Sequence, residues 1–206
     1  MINRRSKQEI DIMRSSAKIL VDTFHMVDNL LEPGLKTIDV DKEIEKFIVN
    51  AGGRPAFLGH KGYPGSSCIS IDEVVVHGIP DDKVIEDGQL ISIDIGVEYK
   101  SYYSDAARTF ALGDLTPEKE NLKKITEESL EKGIEKVVEG NRISDISMAI
   151  QNFVEPEGFS LVRDLVGHGI GSSLWEEPEI PNYYDERRGI QPKIMEGMVF
   201  AIEPMV

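Results

Sequence analysis

The sequence of 206 residues predicts a single domain with an α+β fold that is made of two related halves. In each half, segments with helical periodicity come first, and segments that alternate like strands follow them. The order of these signals recurs at a nearly constant spacing, which is typical of an internal repeat. We place the first half at about residues 1–112 and the second at about residues 113–206, and we expect pseudo-two-fold packing.

The composition narrows the classes of partner and location. A formal net charge of −14 disfavours binding to nucleic acid or to an anionic membrane. No apolar run approaches the ~20 residues of a transmembrane helix, and the polar N-terminus does not resemble a signal peptide. The single cysteine, Cys68, cannot form an internal disulfide. We therefore expect a cytoplasmic protein.

Four helices are predicted from apolar residues that recur at helical spacing. The first should begin at a capping pattern formed by Ser6 and Glu9, and the third at Thr116, which is followed by Pro and Glu. Ser144 is the expected N-cap of the fourth helix. The predicted helices span about residues 7–30, 37–50, 116–140 and 144–154.

Strands are predicted where apolar and polar residues alternate. One begins at Cys68 and runs as far as a turn at Gly78, and a long hairpin spans residues 91–110. Two more strands are predicted at residues 159–165 and 198–206. The glycine-rich segment 167–171 and a loop at residues 174–192 lie between them.

The hairpin brings two acidic residues together. Ile91 and Ile93 share one face of its first strand, so Asp94 lies on the other face. If the chain turns about residues 99–100, Asp94 lies almost opposite Asp105, and like charges that face each other are destabilising unless a proton or a cation intervenes. The pair therefore either stays in water, as an ordinary acidic hairpin, or holds a metal ion.

The internal repeat has two offsets. A shift of 106 positions superposes the turn and second helix of each half, placing Gly34 on Gly140, Val40 on Ile146 and Ile44 on Ile150. A shift of 109 positions places Asp94 on Glu203. The equivalent of Asp105 would then lie beyond position 206, so we expect the second half to be incomplete.

Asp94, Asp105 and Glu203, with His168 of the GHGIG motif, form a mixed set of oxygen and nitrogen ligands. Such a set suits Mn, Fe, Co or Zn better than Ca or Mg. Carboxylates that bridge two ions roughly 3.5–4 Å apart can activate a shared water for hydrolysis. The sequence therefore predicts a hydrolytic metal centre where the acidic residues of the two halves meet.

Four motifs occur in order along the chain: GYPGSSCISIDEVVVHGIP, the Asp-x10-Asp hairpin, GHGIG followed by EEP, and FAIEPMV. In this combination the sequence resembles the type I methionine aminopeptidases of the pita-bread fold, in peptidase family M24. The resemblance implies two α/β halves around a central curved antiparallel sheet. It also implies a cytosolic monomer that removes the initiator methionine from nascent polypeptide N-termini, including those at the ribosome, without direct contact with nucleic acid or membrane.

The resemblance assigns the metal ligands by position. They are Asp94, Asp105, His168 and Glu203, and they would hold two divalent ions of Co, Mn, Fe or Zn, or a single ion. A water activated by the metal would attack the carbonyl of the first peptide bond, and Glu203 would carry the proton to the leaving amine. The residues alone leave open a plain glycine-rich turn around His168.

The same resemblance assigns the substrate contacts. His77 would hydrogen-bond the scissile amide and orient it, while Tyr63, Cys68 and Leu174 would line the pocket for the methionine side chain. From the residues alone, a histidine in a turn, a small core cysteine and a packed loop tyrosine are the competing interpretations.

The sequence departs from the family pattern at three positions. Trp175, in the substrate-binding region, replaces a histidine that donates to the carbonyl oxygen, and losing such a donor costs on the order of 100-fold in rate. The final glutamate ligand of the family lies on a strand that would follow Val206. Either the sequence is most of an ordinary aminopeptidase, or it is a short variant that lacks the last strands, binds metal weakly and has impaired activity. Lys61 replaces a histidine near the substrate entrance.

Two other functions compete with this one. Trp175 favours a non-catalytic pita-bread protein that binds peptide N-termini or a protein partner, whereas the four ligands and His77 favour an enzyme. A prolidase-like peptidase of the same fold is disfavoured by the methionine-type motifs HGIP and FAIEPMV.

Overall fold

A computed structural model describes residues 2–206, and the chain divides into two compact units. The first unit contains residues 8–116 and 171–174, and the second contains residues 2–7, 117–170 and 175–206. Both units combine helices with antiparallel strands, so the predicted α+β class is confirmed. No helix within residues 2–206 is both long and apolar enough to cross a membrane.

The helices are α1 (Lys7–Leu30), α2 (Thr37–Asn50), α3 (Pro117–Ile134) and α4 (Ile143–Val154). The strands are β1 (Arg54–Pro55), β2 (Ser67–Ile71), β3 (Gln89–Tyr99), β4 (Tyr102–Leu112), β5 (Val166–Gly169), β6 (Glu176–Pro181) and β7 (Phe200–Ala201). The predicted bounds of α1 and α2 are confirmed.

The first unit packs α1 and α2 against a sheet that is centred on β3. Strand β4 pairs along the whole length of β3, and β1 and β2 pair along its other edge. Alternate side chains of β3 are fully buried with the apolar faces of the two helices: Ile91, Ile93, Ile95 and Val97. The predicted apolar face of this strand is therefore confirmed.

The hairpin of β3 and β4 turns one position later than predicted. Lys100 and Ser101 form the turn, with φ values of 51° and 65°. A two-residue turn of type I′ requires positive φ at both positions, because its twist then matches that of the strands. Tyr99 pairs with Tyr102 as a result, and the predicted turn about residues 99–100 is wrong.

This turn changes the register of the two acidic residues. Asp94 lies opposite Ala107, and Asp105 lies opposite Gly96. The predicted direct pairing of the carboxylates is therefore wrong. They are diagonal neighbours on one face of the sheet, a relation that separates residues by about 7–8 Å.

Strand β2 is shorter than the alternation predicts. It ends at Ile71, and φ is positive at Asp72 (50°) and His77 (59°). The amide of Ile69 donates to the carbonyl of Gly78 at 2.8 Å, so the segment folds back against β2. A Cβ at Gly78 would lie 2.1 Å from the Ile69 carbonyl oxygen, an approach that only glycine allows. His77 therefore lies in a loop, and its predicted position at a strand end is wrong.

The second unit combines α3 and α4 with strands in the order β6-β5-β7 around its own core. Helix α3 ends well before residue 140, because Val137 and Val138 stay exposed and have no core to pack against. Helix α4 begins at Ile143, and the Asp145 carboxylate accepts the amide of Arg142 at 2.7 Å. The predicted cap at Ser144 is therefore wrong.

Three strand predictions in this unit are corrected. Residues 159–165 form no strand, β6 lies inside the predicted loop at residues 174–192, and only Phe200 and Ala201 pair within the predicted terminal strand. The glycine-rich segment contributes Gly167, His168 and Gly169 to β5, which lies between β6 and β7. A Cβ at Gly167 would lie 2.5 Å from the Ala201 carbonyl oxygen, so glycine is what admits the neighbouring strand.

Matching hydrogen bonds in the two units confirm the predicted repeat. The amide of Gly34 donates to Ile85 at 2.8 Å in the first unit, and the amide of Gly140 donates to Ile194 at 3.0 Å in the second. The reverse bonds match as well, from Ile85 to Leu35 and from Ile194 to Asn141. These pairs keep the same offsets of 106 and 109 positions that the sequence shows.

Replacing Ser101 by glycine should raise the free energy of unfolding by about 0.5–1 kcal/mol, because glycine takes positive φ without steric cost. Urea unfolding followed by circular dichroism measures this change. Ser101→Ala is the matched control, and it should not stabilise the protein. An equal gain in both variants would contradict the position of the turn.

Candidate active site

Asp94 and Asp105 lie on one face of the β3–β4 hairpin, and both are partly buried. The residue opposite each carboxylate is small, Ala107 in one case and Gly96 in the other. The diagonal relation keeps the two negative charges further apart than direct pairing would. Two carboxylates in this arrangement can still approach one cation from neighbouring strands.

Cys68 pairs with Asp94 across β2 and β3 and is 5% exposed. Burial raises the pKa of its thiol to about 12, and the negative charges of Asp94 and Asp105 act in the same direction. The side chain is therefore a neutral thiol at physiological pH. This agrees with a pocket residue and not with a nucleophile, which needs a low pKa.

Tyr63 connects the segment before β2 with the loop that follows it. Its hydroxyl lies 3.1 Å from the carbonyl oxygen of Ser67 and 3.0 Å from that of Gly78, and donates towards both. Burial is the main cause that raises the pKa of this hydroxyl above its usual value. Tyr63 is therefore a neutral donor that holds two backbone segments together.

His77 is exposed and precedes Gly78 in the loop after β2. The Gly78 amide donates to the hydroxyl of Ser70 at 3.0 Å, and its carbonyl accepts from Ile69 and Tyr63. The backbone beside His77 is thus held through both the amide and the carbonyl of Gly78, which belong to successive peptide units. The imidazole extends from an anchored loop towards solvent.

His168 lies on β5 and is 8% exposed. Its Nδ1 lies 2.8 Å from the carbonyl oxygen of Gly169, and a carbonyl oxygen only accepts, so Nδ1 carries the proton. The lone pair of the neutral ring is therefore on Nε2. This tautomer is the one that a histidine adopts when Nε2 binds a metal.

Glu203 follows β7, and its Oε1 lies 3.2 Å from Nε2 of His168. This oxygen is buried and accepts no hydrogen bond from residues 2–206. A lone pair that faces a buried carboxylate oxygen is unfavourable, and a proton or a cation relieves the repulsion. The donor set and the unsatisfied oxygen therefore fit a divalent metal ion.

Trp175 is one of the departures from the family pattern, and its indole packs edge-on against His168. The two ring centroids are 6.1 Å apart and the planes are 82° from parallel. The indole is 45% exposed, whereas the preceding residue, Leu174, is 4% exposed. Trp175 therefore lies beside a predicted ligand and is still accessible from solvent.

Each unit supplies two of the four predicted ligands. The first places Asp94 and Asp105 on neighbouring strands, and the second brings His168 and Glu203 into contact. Within neither unit do three or more His, Cys, Asp or Glu side chains of the described chain gather into a group that could hold a metal ion.

Sequence reasoning assigned no role to Asp41. This side chain lies on α2, is 5% exposed, and accepts hydrogen bonds from Ser66 and Ser67, directly before Cys68. The signal in the sequence is an acidic residue next to Val40, at the edge of the apolar face of a helix.

Comparison with known proteins places these features in a family. The family model for metallopeptidase family M24 matches residues 11–206. A methionine aminopeptidase from Clostridium perfringens is 48% identical over 206 residues, which cover 100% of this chain and 82% of that protein.

Solved structures agree with this assignment. The methionine aminopeptidase of Thermotoga maritima is 37% identical, with a TM-score of 0.95 over 99% of this chain and 82% of that chain. The prolidase of Pyrococcus furiosus is 25% identical, with a TM-score of 0.86 over 98% of this chain and 57% of that chain. The predicted pita-bread fold is confirmed, and the aminopeptidase is the more similar of the two enzymes. The chain belongs to metallopeptidase family M24 and, within it, to the methionine aminopeptidases.

Proposed function

We propose that this chain hydrolyses the first peptide bond of a polypeptide and releases the N-terminal methionine, with the help of divalent metal ions. The contact between His168 and Glu203 carries the proposal. It sets a nitrogen that is ready to bind metal against a buried carboxylate oxygen with no hydrogen bond from the described residues. Family membership supplies the reaction, and this contact supplies the local reason for a cation.

Asp94, Asp105, His168 and Glu203 would hold the metal, as two divalent ions of Co, Mn, Fe or Zn or as a single ion. When bound, the metal supplies Lewis acidity and an activated water. The Gly169 carbonyl prepares the site, because it holds His168 in the tautomer whose Nε2 binds metal.

Two side chains would handle protons and the substrate amide. Glu203 would accept a proton at its buried carboxylate and pass it to the leaving amine. His77 would donate a hydrogen bond to the scissile amide from its loop. The exposed imidazole and the anchored peptide at Gly78 support this role, because the ring is accessible while its backbone is held.

Tyr63, Cys68 and Leu174 would line the pocket for the methionine side chain. Two of them, Cys68 and Leu174, are buried, and the thiol of Cys68 is neutral. A pocket of neutral sulfur, aliphatic and phenol groups suits a polarisable thioether, which prefers such contacts to charged ones.

Trp175 supports a second candidate, a protein that binds peptide N-termini without cleaving them. Its indole N–H can donate a hydrogen bond but cannot carry a charge, and the ring is bulkier than imidazole. Its edge-on contact with His168 favours a substrate-binding role beside the ligand. We therefore expect slow hydrolysis by the native chain and place pure binding second.

The proposed substrates are the N-termini of nascent polypeptides, including chains at the ribosome, in the cytoplasm. A net charge of −14 disfavours direct contact with ribosomal RNA, so the peptide itself is the partner. We propose a monomer in which residues 1–206 act as one catalytic domain, with halves at about residues 1–112 and 113–206.

Incubation with Mn or Co and the peptide Met-Ala-Ser should release free methionine, which liquid chromatography measures. His168→Ala and Glu203→Gln should lower the rate by at least about 100-fold and weaken metal binding in equilibrium dialysis, because each removes a ligand. Glu157→Gln, at an exposed carboxylate, is the control and should match the native chain. No methionine release by folded protein at any metal concentration would overturn the proposed function.

Replacing Trp175 by histidine should raise kcat/KM for Met-Ala-Ser by about 10- to 100-fold, because it restores a donor that can carry charge. Trp175→Phe keeps an aromatic ring without a donor and should not be faster than the native chain. An unchanged or lower rate for the histidine variant would contradict this role.

Iodoacetamide should label Cys68 roughly 100- to 1000-fold more slowly in the native protein than in urea at pH 9, because burial holds the native thiol protonated up to about pH 12. As pH rises above about 9, the thiol of the unfolded chain loses its proton before the thiol of the native protein does. The contribution of Cys68 to the free energy of unfolding therefore falls above this pH. Mass spectrometry measures the labelling, and Cys68→Ser should remove it. Equal rates in the two states would refute the assignment.

A further inference from the structure

A buried carboxylate on α2 has no part in the proposed chemistry but contacts the segment that carries the substrate pocket. Asp41 accepts three donors: the amide of Ser66 at 3.0 Å, and the amide and hydroxyl of Ser67, both at 2.7 Å. Hydrogen bonds to an ionised carboxylate are the stronger kind, and two of these hold backbone directly. Asp41 therefore fixes the two residues that precede Cys68.

The same hydrogen-bonded chain continues to the His77 loop. The Ser67 carbonyl accepts from the hydroxyl of Tyr63, which also donates towards the Gly78 carbonyl. Gly78 follows His77 directly and is bonded through its amide to Ser70. Asp41 is thus linked, through Ser67 and Tyr63, to the peptide beside His77, and every member lies in the first unit.

We propose that Asp41 is a positioning residue that sets the methionine pocket and the His77 loop as one hydrogen-bonded unit, and so tunes selectivity for the first side chain. This inference rests on the proposed function for its substrate. Asp41 touches neither substrate nor metal. It acts through Ser67, whose neighbours in the network are the residues proposed to contact the substrate.

Asp41→Asn tests the proposal, because all three donors bond to Oδ1 and only the Ser66 amide also contacts Oδ2, at 3.2 Å. The amide keeps one oxygen for these donors but removes the negative charge and sets an NH2 group against the Ser66 amide. kcat/KM for Met-Ala-Ser should fall about 10- to 100-fold, because hydrogen bonds to a neutral acceptor are weaker than those to a charged one and the Ser66 amide loses its contact with Oδ2. The preference for Met-Ala-Ser over Leu-Ala-Ser should fall as well, which a purely structural role would not cause. Glu45→Gln is the matched control: Glu45 lies on the same helix and accepts a side-chain donor, the Ser66 hydroxyl, at 3.1 Å. It should leave rate and selectivity within about 2-fold of native.

A double-mutant cycle tests the link itself. Tyr63→Phe removes the hydroxyl that joins Ser67 to Gly78. The double variant with Asp41→Asn should lose less kcat/KM than the product of the fold-losses of the two single variants. Multiplicative effects would overturn the proposal. If Asp41→Asn does not fold, Ser67→Ala replaces it in the cycle, since this change removes one donor and keeps the Ser67 amide.

Amide hydrogen exchange separates this inference from the activity. Asp41→Asn should speed exchange at the Gly78 amide, and Glu45→Gln should not. Unchanged protection of the Gly78 amide in Asp41→Asn would overturn the positioning role, regardless of the effect of this substitution on kcat/KM. A different result is a native chain that folds and releases no methionine while Asp41→Asn still speeds exchange at Gly78. This result would overturn the proposed function, and the hydrogen-bonded network would stand.

Discussion

Carboxylates that are removed from water need donors or a cation, and this constraint organises both units of the chain. Asp41 is buried and satisfied, because three donors of the Ser66–Ser67 segment surround it. Glu203 is different, since its buried Oε1 faces the lone pair of His168 and receives no hydrogen bond within residues 2–206. The first carboxylate therefore stabilises the chain by itself, whereas the second fits a site that a metal ion completes.

A repeated backbone arrangement positions Asp94 in the first unit and Glu203 in the second. In each unit, the glycine turn between the two helices forms backbone hydrogen bonds with a segment that precedes a strand. In the first unit Gly34 bonds to Ile85, and in the second Gly140 bonds to Ile194. That strand, or the chain just after it, then carries an acidic residue at an equivalent place. The same turn and the same hydrogen bonds thus place an acidic residue at an equivalent position in each unit, although most of the other residues differ between the two units.

The periodicity of the sequence predicted the parts of the fold that depend on local burial. The bounds of α1 and α2 and the buried face of β3 follow from apolar residues that recur at fixed spacing, and packing reinforces that spacing. Errors arose where other contacts decide the backbone. The turn at Lys100 and Ser101 depends on positive φ in two residues that rarely adopt it, and the Gly78 loop depends on hydrogen bonds to β2.

The sequence by itself determined the family, the repeat and the identity of the proposed ligands, because motif order and chemical type are properties of the chain alone. Only the tertiary structure decided that Asp94 and Asp105 are diagonal, that His168 has its lone pair on Nε2, and that Asp41 is joined to Tyr63 through Ser67. Each of these depends on register or on a hydrogen bond between segments distant in sequence. Such contacts exist only when the strands and loops have packed, which is why spacing along the chain does not reveal them.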